Sequence, residues 1–534
     1  MKVLVPEKIA PDALDLLRSQ DIEVVEVEGK TADELCEMIP GFDALIVRSA
    51  TTVDAALLER AVDLKIVGRA GTGVDNIDIP ACTAKGILVC NTPDANTNAA
   101  AELAVGLAFS AFRNIGEANM KARRADFRRG GMVGNELEGK IAGVIGFGRI
   151  AQGVATKLQG LGMKVIAYDP FVTRQRMEYF NVTYCETLEE LLPLVDLISV
   201  HTPKTKETTN MLSAPQFALC KKGVRLVNAA RGGLVNEQDL HDALVSGQVA
   251  SAAMDVLSCE PKFTKKPEEQ DFHSPLLDLD NFTYTPHLGA STTEAAARVG
   301  FGVTDIIARA LNGEMVPAVN MPPVSGSADQ MKPFIRLCER LGSIYFQAES
   351  KTVTKIKITY CGTLMTEETG LLTLSILKGF LTPISENRVS FVNVRQNVEE
   401  MGIKVLEDKA TACTRYENLI TVDFTQDTGK VLSVSGSIVG SEIQVLVDFF
   451  GYNVNIPFTP YMLALQNDDI PGVIGRVGTV LGNFNINISN LIWAVKNLNH
   501  HAQAFVCVDT PVEDKVIDEL MKQEGVLRVS RLYF

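Results

Sequence analysis

The chain has 534 residues, 46% hydrophobic and 22% charged, with a formal net charge of −14. That length is too great for one core and implies several domains. The acidic balance, with no Lys/Arg stripe, argues against nucleic acid as a partner, and no apolar run approaches the length of a membrane helix.

In chain order, strands are expected at Lys2–Val5, Glu23–Val27, Ala44–Val47, Lys65–Arg69 and Leu88–Asn91, with helices Pro11–Gln20, Thr31–Met38, Asp54–Ala61 and Ile79–Lys85 between them. That alternation predicts an α/β layer on a parallel sheet. Asn98–Asn114 is an alanine-rich helix, and its stretch Leu103–Phe112 is apolar enough to be buried all round. Ile141–Ile145 reads as a buried strand entering Gly146-x-Gly148-x-x-Ala151, followed by a helix and a strand, Met163–Tyr168, ending on Asp169. A strand, a glycine turn, a helix and a strand ending on an acid form a dinucleotide fingerprint. Gly146 permits the turn and Gly148 lets the backbone approach a pyrophosphate. The helix N-terminus offers N–H groups to that anion. Asp169 accepts from ribose hydroxyls and repels a 2′-phosphate, so the cofactor expected is NAD rather than NADP.

Further strands are expected at Asp196–Val200, Val224–Asn228, Ser251–Val256 and Phe282–Tyr284, then a helix, Thr292–Leu311, with Ala296, Val299, Val303 and Ile307 on one face. The Pro- and Gly-containing segment 316–327 reads as a linker. Beyond it a helix near Lys332–Ser343 and strands Thr354–Tyr360, Leu432–Val439 and Gln444–Val447 form a mixed region. The last unit, 460–534, reads as β-α-β-β-α-β. Ten scattered cysteines without a C-x-x-C pair read as reduced thiols of a cytoplasmic protein, and the N-terminus has no signal-peptide or transit-peptide pattern. No metal site is expected.

Three polar residues stand at strand ends of the dinucleotide unit. Arg231 follows Val224–Asn228; on position alone it is equally a solvated loop arginine or a bidentate carboxylate anchor. Glu260 and His287 follow the next two strands. A lone histidine is more often structural, but one paired with a carboxylate at the mouth of a nucleotide cleft suits removal of a hydroxyl proton.

Gly146-Phe-Gly-Arg-Ile-Ala151, Asn228-Ala-Ala-Arg-Gly232, Cys259-Glu-Pro261 and Thr285-Pro-His-Leu-Gly-Ala290 together resemble the D-2-hydroxyacid dehydrogenase family. Arg69-Ala-Gly-Thr-Gly-Val-Asp-Asn-Ile-Asp78 and Val89-x-Asn-Thr-Pro93 are similar to the branch acting on D-3-phosphoglycerate. The resemblance implies a Rossmann-type doubly wound sheet (98–284), a flavodoxin-like substrate unit (1–97, completed by 285–315), an α+β intervening unit (320–456) and a ferredoxin-like ACT unit (460–534). It implies Arg231, Glu260 and His287 as catalytic residues, with Arg231 and His287 also contacting cofactor and substrate. It places Arg149 and Ile150 under the pyrophosphate, Asp169 at the ribose, and Thr72, Thr202, Ala229, Asp255 and Gly289 on the nicotinamide side. Arg48 and Arg69 become anchors for the substrate's phosphate and carboxylate, with surface salt bridges as the alternative. Either Arg128-Arg129 or Arg123-Arg124 would reach a neighbouring subunit's site. Asn467, Asp469 and Asn487 would bind L-serine between subunits, or be turn and cap residues only. The implied reaction is NAD-dependent oxidation of 3-phosphoglycerate to 3-phosphohydroxypyruvate, entering serine synthesis, in a homodimer or homotetramer. Another D-2-hydroxyacid dehydrogenase, a 2-oxoglutarate reductase and a non-catalytic NAD sensor are the alternatives.

Overall fold

Two all-parallel sheets come first in the computed structural model, which describes residues 1–261, 266–322, 328–385, 389–410, 415–440, 442–495 and 501–534. The first holds β1 (Lys2–Val5), β2 (Glu23–Glu26), β3 (Ala44–Val47), β4 (Ile66–Arg69) and β5 (Leu88–Asn91), in the order β2-β1-β3-β4-β5. This is the flavodoxin-like arrangement. β3 is buried at every position, as a strand with both faces covered must be. One cover is the helix Thr293–Leu311, which lays Val299, Val303 and Ile307 over Val3 and Ile46. The residue opening that stripe is Ala295, fully buried, whereas Ala296 is exposed; the face expected from sequence was one position off at its start.

The second sheet holds β6 (Ile141–Ile145), β7 (Lys164–Tyr168), β8 (Thr183–Tyr184), β9 (Leu197–Val200), β10 (Val224–Asn228), β11 (Val249–Met254) and β12 (Phe282–Tyr284). Its order is β12-β11-β10-β9-β6-β7-β8. The order reverses between β6 and β9, so a crevice opens there beyond the carboxyl ends of the strands, where ligands of such sheets bind. The alanine-rich helix Thr97–Arg113 packs against β10 and β11, and Ser251 Oγ donates to its Ala111 carbonyl at 2.6 Å.

The expected linker is partly docked. Val319 N donates to Val89 O at 2.6 Å, and the Asn320 amide bonds the backbone at Ile87 and Val89 and the Thr83 hydroxyl. Val319 and Asn320 are therefore fastened to β5 and the turn before it; 323–327 lie outside the described residues.

The third sheet is mixed. It holds β13 (Val353–Gly362), β14 (Lys404–Ala410), β15 (Asn418–Gln426), β16 (Val431–Val439), β17 (Ile443–Phe449) and β18 (Tyr452–Pro457), in the order β14-β13-β15-β16-β17-β18. Only β13 and β14 run parallel. Helices Ala328–Ala348 and Gly370–Leu381 cover it around Tyr345, Phe380 and Phe424, whose ring centroids lie 4.8–6.1 Å apart. The helices cross at Gly342 and Gly379, where an added Cβ would lie 2.0 Å from a carbonyl of the facing helix, so only glycine allows the approach. The fourth sheet holds β19 (Tyr461–Asp468), β20 (Ile488–Val495), β21 (His501–Val508) and β22 (Val526–Tyr533), antiparallel in the order β20-β21-β19-β22. Its helices are Val473–Asn483 and Asp514–Met521, which makes it ferredoxin-like. Among the described residues, no helix is long and apolar enough to cross a membrane.

Candidate active site

The glycine turn sits at the switch point. Gly146 has φ +83°, and a Cβ there would meet His201 O at 2.8 Å. Both facts require glycine. Gly148 differs: nothing lies within 4 Å of its added Cβ. The bare backbone there faces open cleft, where the close approach of a pyrophosphate would need it. The turn is fastened to the neighbouring strand by Gly146 N to Tyr168 O, 2.8 Å, and by Phe147 N to Asp169 Oδ2, 2.7 Å. Asp169 Oδ1 accepts from Phe171 N at 2.8 Å. Each oxygen keeps lone-pair capacity after these bonds, so the half-buried carboxylate remains able to accept ribose hydroxyls. Arg149 opens the following helix, half-buried Ile150 follows it, and the Arg149 guanidinium is paired with Asp94 from the loop after β5.

Opposite this turn lies the carboxyl end of the first sheet. Thr72 Oγ1 donates to Asn96 Oδ1 at 2.6 Å, and Asn91 Nδ2 holds the Thr72 carbonyl. Thr202 and Ala229, both half-buried, lie just after β9 and β10.

Asn228, fully buried at the end of β10, accepts from Ala230 N and donates to Arg231 O at 2.9 Å. That clamp fixes the turn carrying Arg231. The Arg231 guanidinium lies 3.4 Å from Asp75, in the loop after β4, so it faces the first sheet.

Asp255 plays the same part for His287. Its buried carboxylate accepts from Thr285 Oγ1 (2.5 Å), Leu288 N (2.8 Å) and the buried Gly289 N (2.9 Å). His287 N donates to the Asp255 carbonyl at 3.0 Å. These bonds hold His287 at φ +56°, a conformation a non-glycine residue adopts only when its surroundings impose it. Its Nδ1 stands 3.0 and 3.1 Å from the two oxygens of Glu260. The Glu260 bond raises the His287 pKa above the ordinary imidazole value, against the opposing effects of burial and of the Arg231 charge. Burial raises the Asp255 carboxyl, opposed by the three bonds it accepts.

Arg48 and Arg69 stand at the ends of adjacent strands, since Val47 and Arg69 are register partners. The Arg69 Nε–H is buried without a partner. Burial, and then the neighbouring Arg231 and Arg48 charges, lower its pKa. A buried guanidinium N–H with no acceptor, beside two further guanidinium groups, fits an anion binding there.

The sequence reading missed Asn228, Asn96, Asp75 and Asp94. An isolated asparagine ending an apolar strand was a signal for the first. The others act across distances that no local pattern reveals. Arg123, Arg124, Arg128 and Arg129 are all exposed, and Arg128 is paired with Asp126.

Asn467, Asp469 and Asn487 do not meet within one chain. Asn467 is buried in β19, with Nδ2 on the Asp468 carbonyl and Oδ1 unpartnered. Ile488, which follows Asn487, pairs with Val508 and so with Tyr461, whereas Asn467 pairs with Ala502. Asn487 therefore lies at the other end of the sheet, about 20 Å away at roughly 3.3 Å per residue.

Comparison with known proteins gives the family. Residues 105–289 match the D-isomer specific 2-hydroxyacid dehydrogenase NAD binding domain. The fold and site thus define an NAD-dependent dehydrogenase of the 2-hydroxyacid class. The apo-structure of D-lactate dehydrogenase from Escherichia coli is similar over 60% of this chain and 99% of that one, at 27% identity and a TM-score of 0.52. Residues 330–449 match the D-3-phosphoglycerate dehydrogenase intervening domain. D-3-phosphoglycerate dehydrogenases from Archaeoglobus fulgidus (40% identity over 533 residues) and Bacillus subtilis (36% over 532) each align over 99% of both chains. The chain belongs to the D-3-phosphoglycerate dehydrogenase family.

Proposed function

We propose that this chain oxidises D-3-phosphoglycerate to 3-phosphohydroxypyruvate with NAD, the entry step of serine synthesis. The observation that carries the reading is the His287–Glu260 pair, held by Asp255 beside Arg231 at the crevice of the glycine turn. NAD, when bound, supplies the hydride acceptor; the Gly146–Ile150 turn and Asp169 would hold it, with Thr72, Thr202, Ala229, Asp255 and Gly289 around its nicotinamide. With Nδ1 donating to Glu260, His287 Nε2 takes the proton of the substrate's 2-hydroxyl. Glu260 stabilises the imidazolium that forms. Arg231 binds the carboxylate and polarises the oxygen on the reacting carbon. The Arg48–Arg69 pair takes the remaining anionic group.

In this reading residues 1–97 with 285–315 form the substrate unit, 98–284 the NAD unit, 320–456 the intervening unit and 460–534 an ACT regulatory unit. Serine would bind between two copies, where the 467–469 segment of one meets Asn487 of another. The enzyme works as a dimer or tetramer in the cytoplasm; the described cysteines, all unpaired and mostly buried, suit a reducing compartment. NADH absorbance with NAD and D-3-phosphoglycerate, D-lactate or D-glycerate, and the reverse assay with 2-oxoglutarate, tests the substrate. A kcat/KM for the phosphorylated acid well above the others is expected; a preference for an unphosphorylated acid would overturn it.

A further inference from the structure

We propose that Glu7 is a positioning residue for substrate binding: its carboxylate shapes the loop that carries Arg48 and keeps that guanidinium available for the substrate's anion. The inference rests on the reading of Arg48 as an anchor.

Glu7 lies just beyond β1, whose carboxyl end neighbours that of β3. Its two oxygens accept three backbone bonds from one short loop: Arg48 N at 2.8 Å, Thr51 N at 3.0 Å and Ala50 N at 3.1 Å. The loop is gripped from its other side by Asn76, whose Nδ2 donates to the carbonyls of Arg48 (2.9 Å) and Thr51 (2.6 Å). Five bonds to Arg48, Ala50 and Thr51 thus fix a loop that belongs to no helix or strand.

The chemistry of the choice matters. A carboxylate beside guanidinium groups ordinarily pairs with one of them. Glu7 is close enough for its charge to oppose the lowering of the Arg69 pKa, yet among the described residues it makes no side-chain ion pair. Its accepting capacity goes to backbone N–H groups instead. Arg48 in turn spends only a long 3.4 Å bond, to the Lys8 carbonyl. The result is a fixed loop with an uncommitted cation at its head. Truncating Glu7 would take away the one side chain that accepts all three N–H groups, and the loop would move. Misplacing a binding group by about 1 Å costs on the order of 100-fold.

The test is a double-mutant cycle on the full-length enzyme, with D-3-phosphoglycerate as substrate and NADH affinity as the control for an intact cofactor cleft. E7A is expected to raise KM about 10- to 100-fold, with a much smaller change in kcat and unchanged NADH affinity. R48A raises KM similarly. The E7A/R48A double variant should be no worse than R48A, because Glu7 acts through Arg48. Should E7A fail to fold, E7Q keeps the side-chain volume and one acceptor oxygen, and the same pattern is expected at smaller size. Additive effects in the cycle, an unchanged KM in a folded Glu7 variant, or a parallel loss of NADH affinity overturns the role of Glu7 while leaving Arg48 as an anchor. An unchanged KM in R48A removes the anchor itself, and the role of Glu7 with it.

Discussion

Replacing Asp169 separates its two possible duties, bracing the turn and choosing the cofactor. In the structure the carboxylate braces the turn through Phe147 N at 2.7 Å, while its other oxygen accepts from Phe171 N of its own loop at 2.8 Å. In the proposed complex it also accepts the adenosine ribose hydroxyls. A hydrogen bond to a charged group contributes about 1.5–3 kcal/mol. Losing one ribose contact of that kind weakens NADH binding about 10- to 150-fold. The same loss removes the carboxylate's repulsion of a 2′-phosphate, so NADPH should bind no worse, and the NADH/NADPH ratio should fall by about 10-fold or more. Asp169→Asn keeps one acceptor oxygen for the backbone and removes the charge; Asp169→Ala removes both. Fluorescence titration of both variants with both dinucleotides reads the ratio directly. If the two dinucleotides weaken by the same factor, Asp169 only braces the glycine turn and its part in cofactor choice is refuted.

The His287–Glu260 pair makes a prediction in pH. The Glu260 hydrogen bond raises the His287 pKa, and oxidation needs the neutral ring. The oxidation rate should therefore rise with pH through a point above the ordinary imidazole value, and reduction should fall through it. In Glu260→Gln the inflection should move to lower pH; an unmoved profile would assign it to another group. Gly146→Ala places a side chain at φ +83° and 2.8 Å from His201 O. The left-handed conformation alone costs about 1–2 kcal/mol, and the carbonyl it meets is rigid backbone. Tm should fall and NADH affinity with it; a variant matching the parent in both would show that the turn tolerates a side chain.

Much of the site was written locally in the chain. The Gly146 turn, Asp169, Arg231, Glu260 and His287 each follow a strand whose apolar run is evident, and a parallel sheet brings strand ends to one edge. The β-α alternation of 1–97 was legible for the same reason. The helix Gly370–Leu381 was not. It is apolar over most of its surface because all but Gly370 and Lys378 are buried, and periodicity has little purchase where there is almost no solvent side. Strand β14, with four charged residues in seven and largely exposed, fails for the opposite reason: it is a sheet edge, recognisable only once β13 is beside it. Glu7 and Asp75 were hidden because their partners lie 41 or more residues away, at Arg48 and Arg231. Such contacts are consequences of sheet order, which sequence spacing does not contain.

The central claim is that His287 moves the substrate's proton. His287→Ala, assayed for NADH formation from D-3-phosphoglycerate and for NADH affinity, tests it most directly. Turnover should drop by about 100- to 10,000-fold with the NADH dissociation constant within about 2-fold of the parent, as expected when only the proton-transferring group is removed. Turnover near the parent's would contradict the account, and so would equal losses of turnover and cofactor binding.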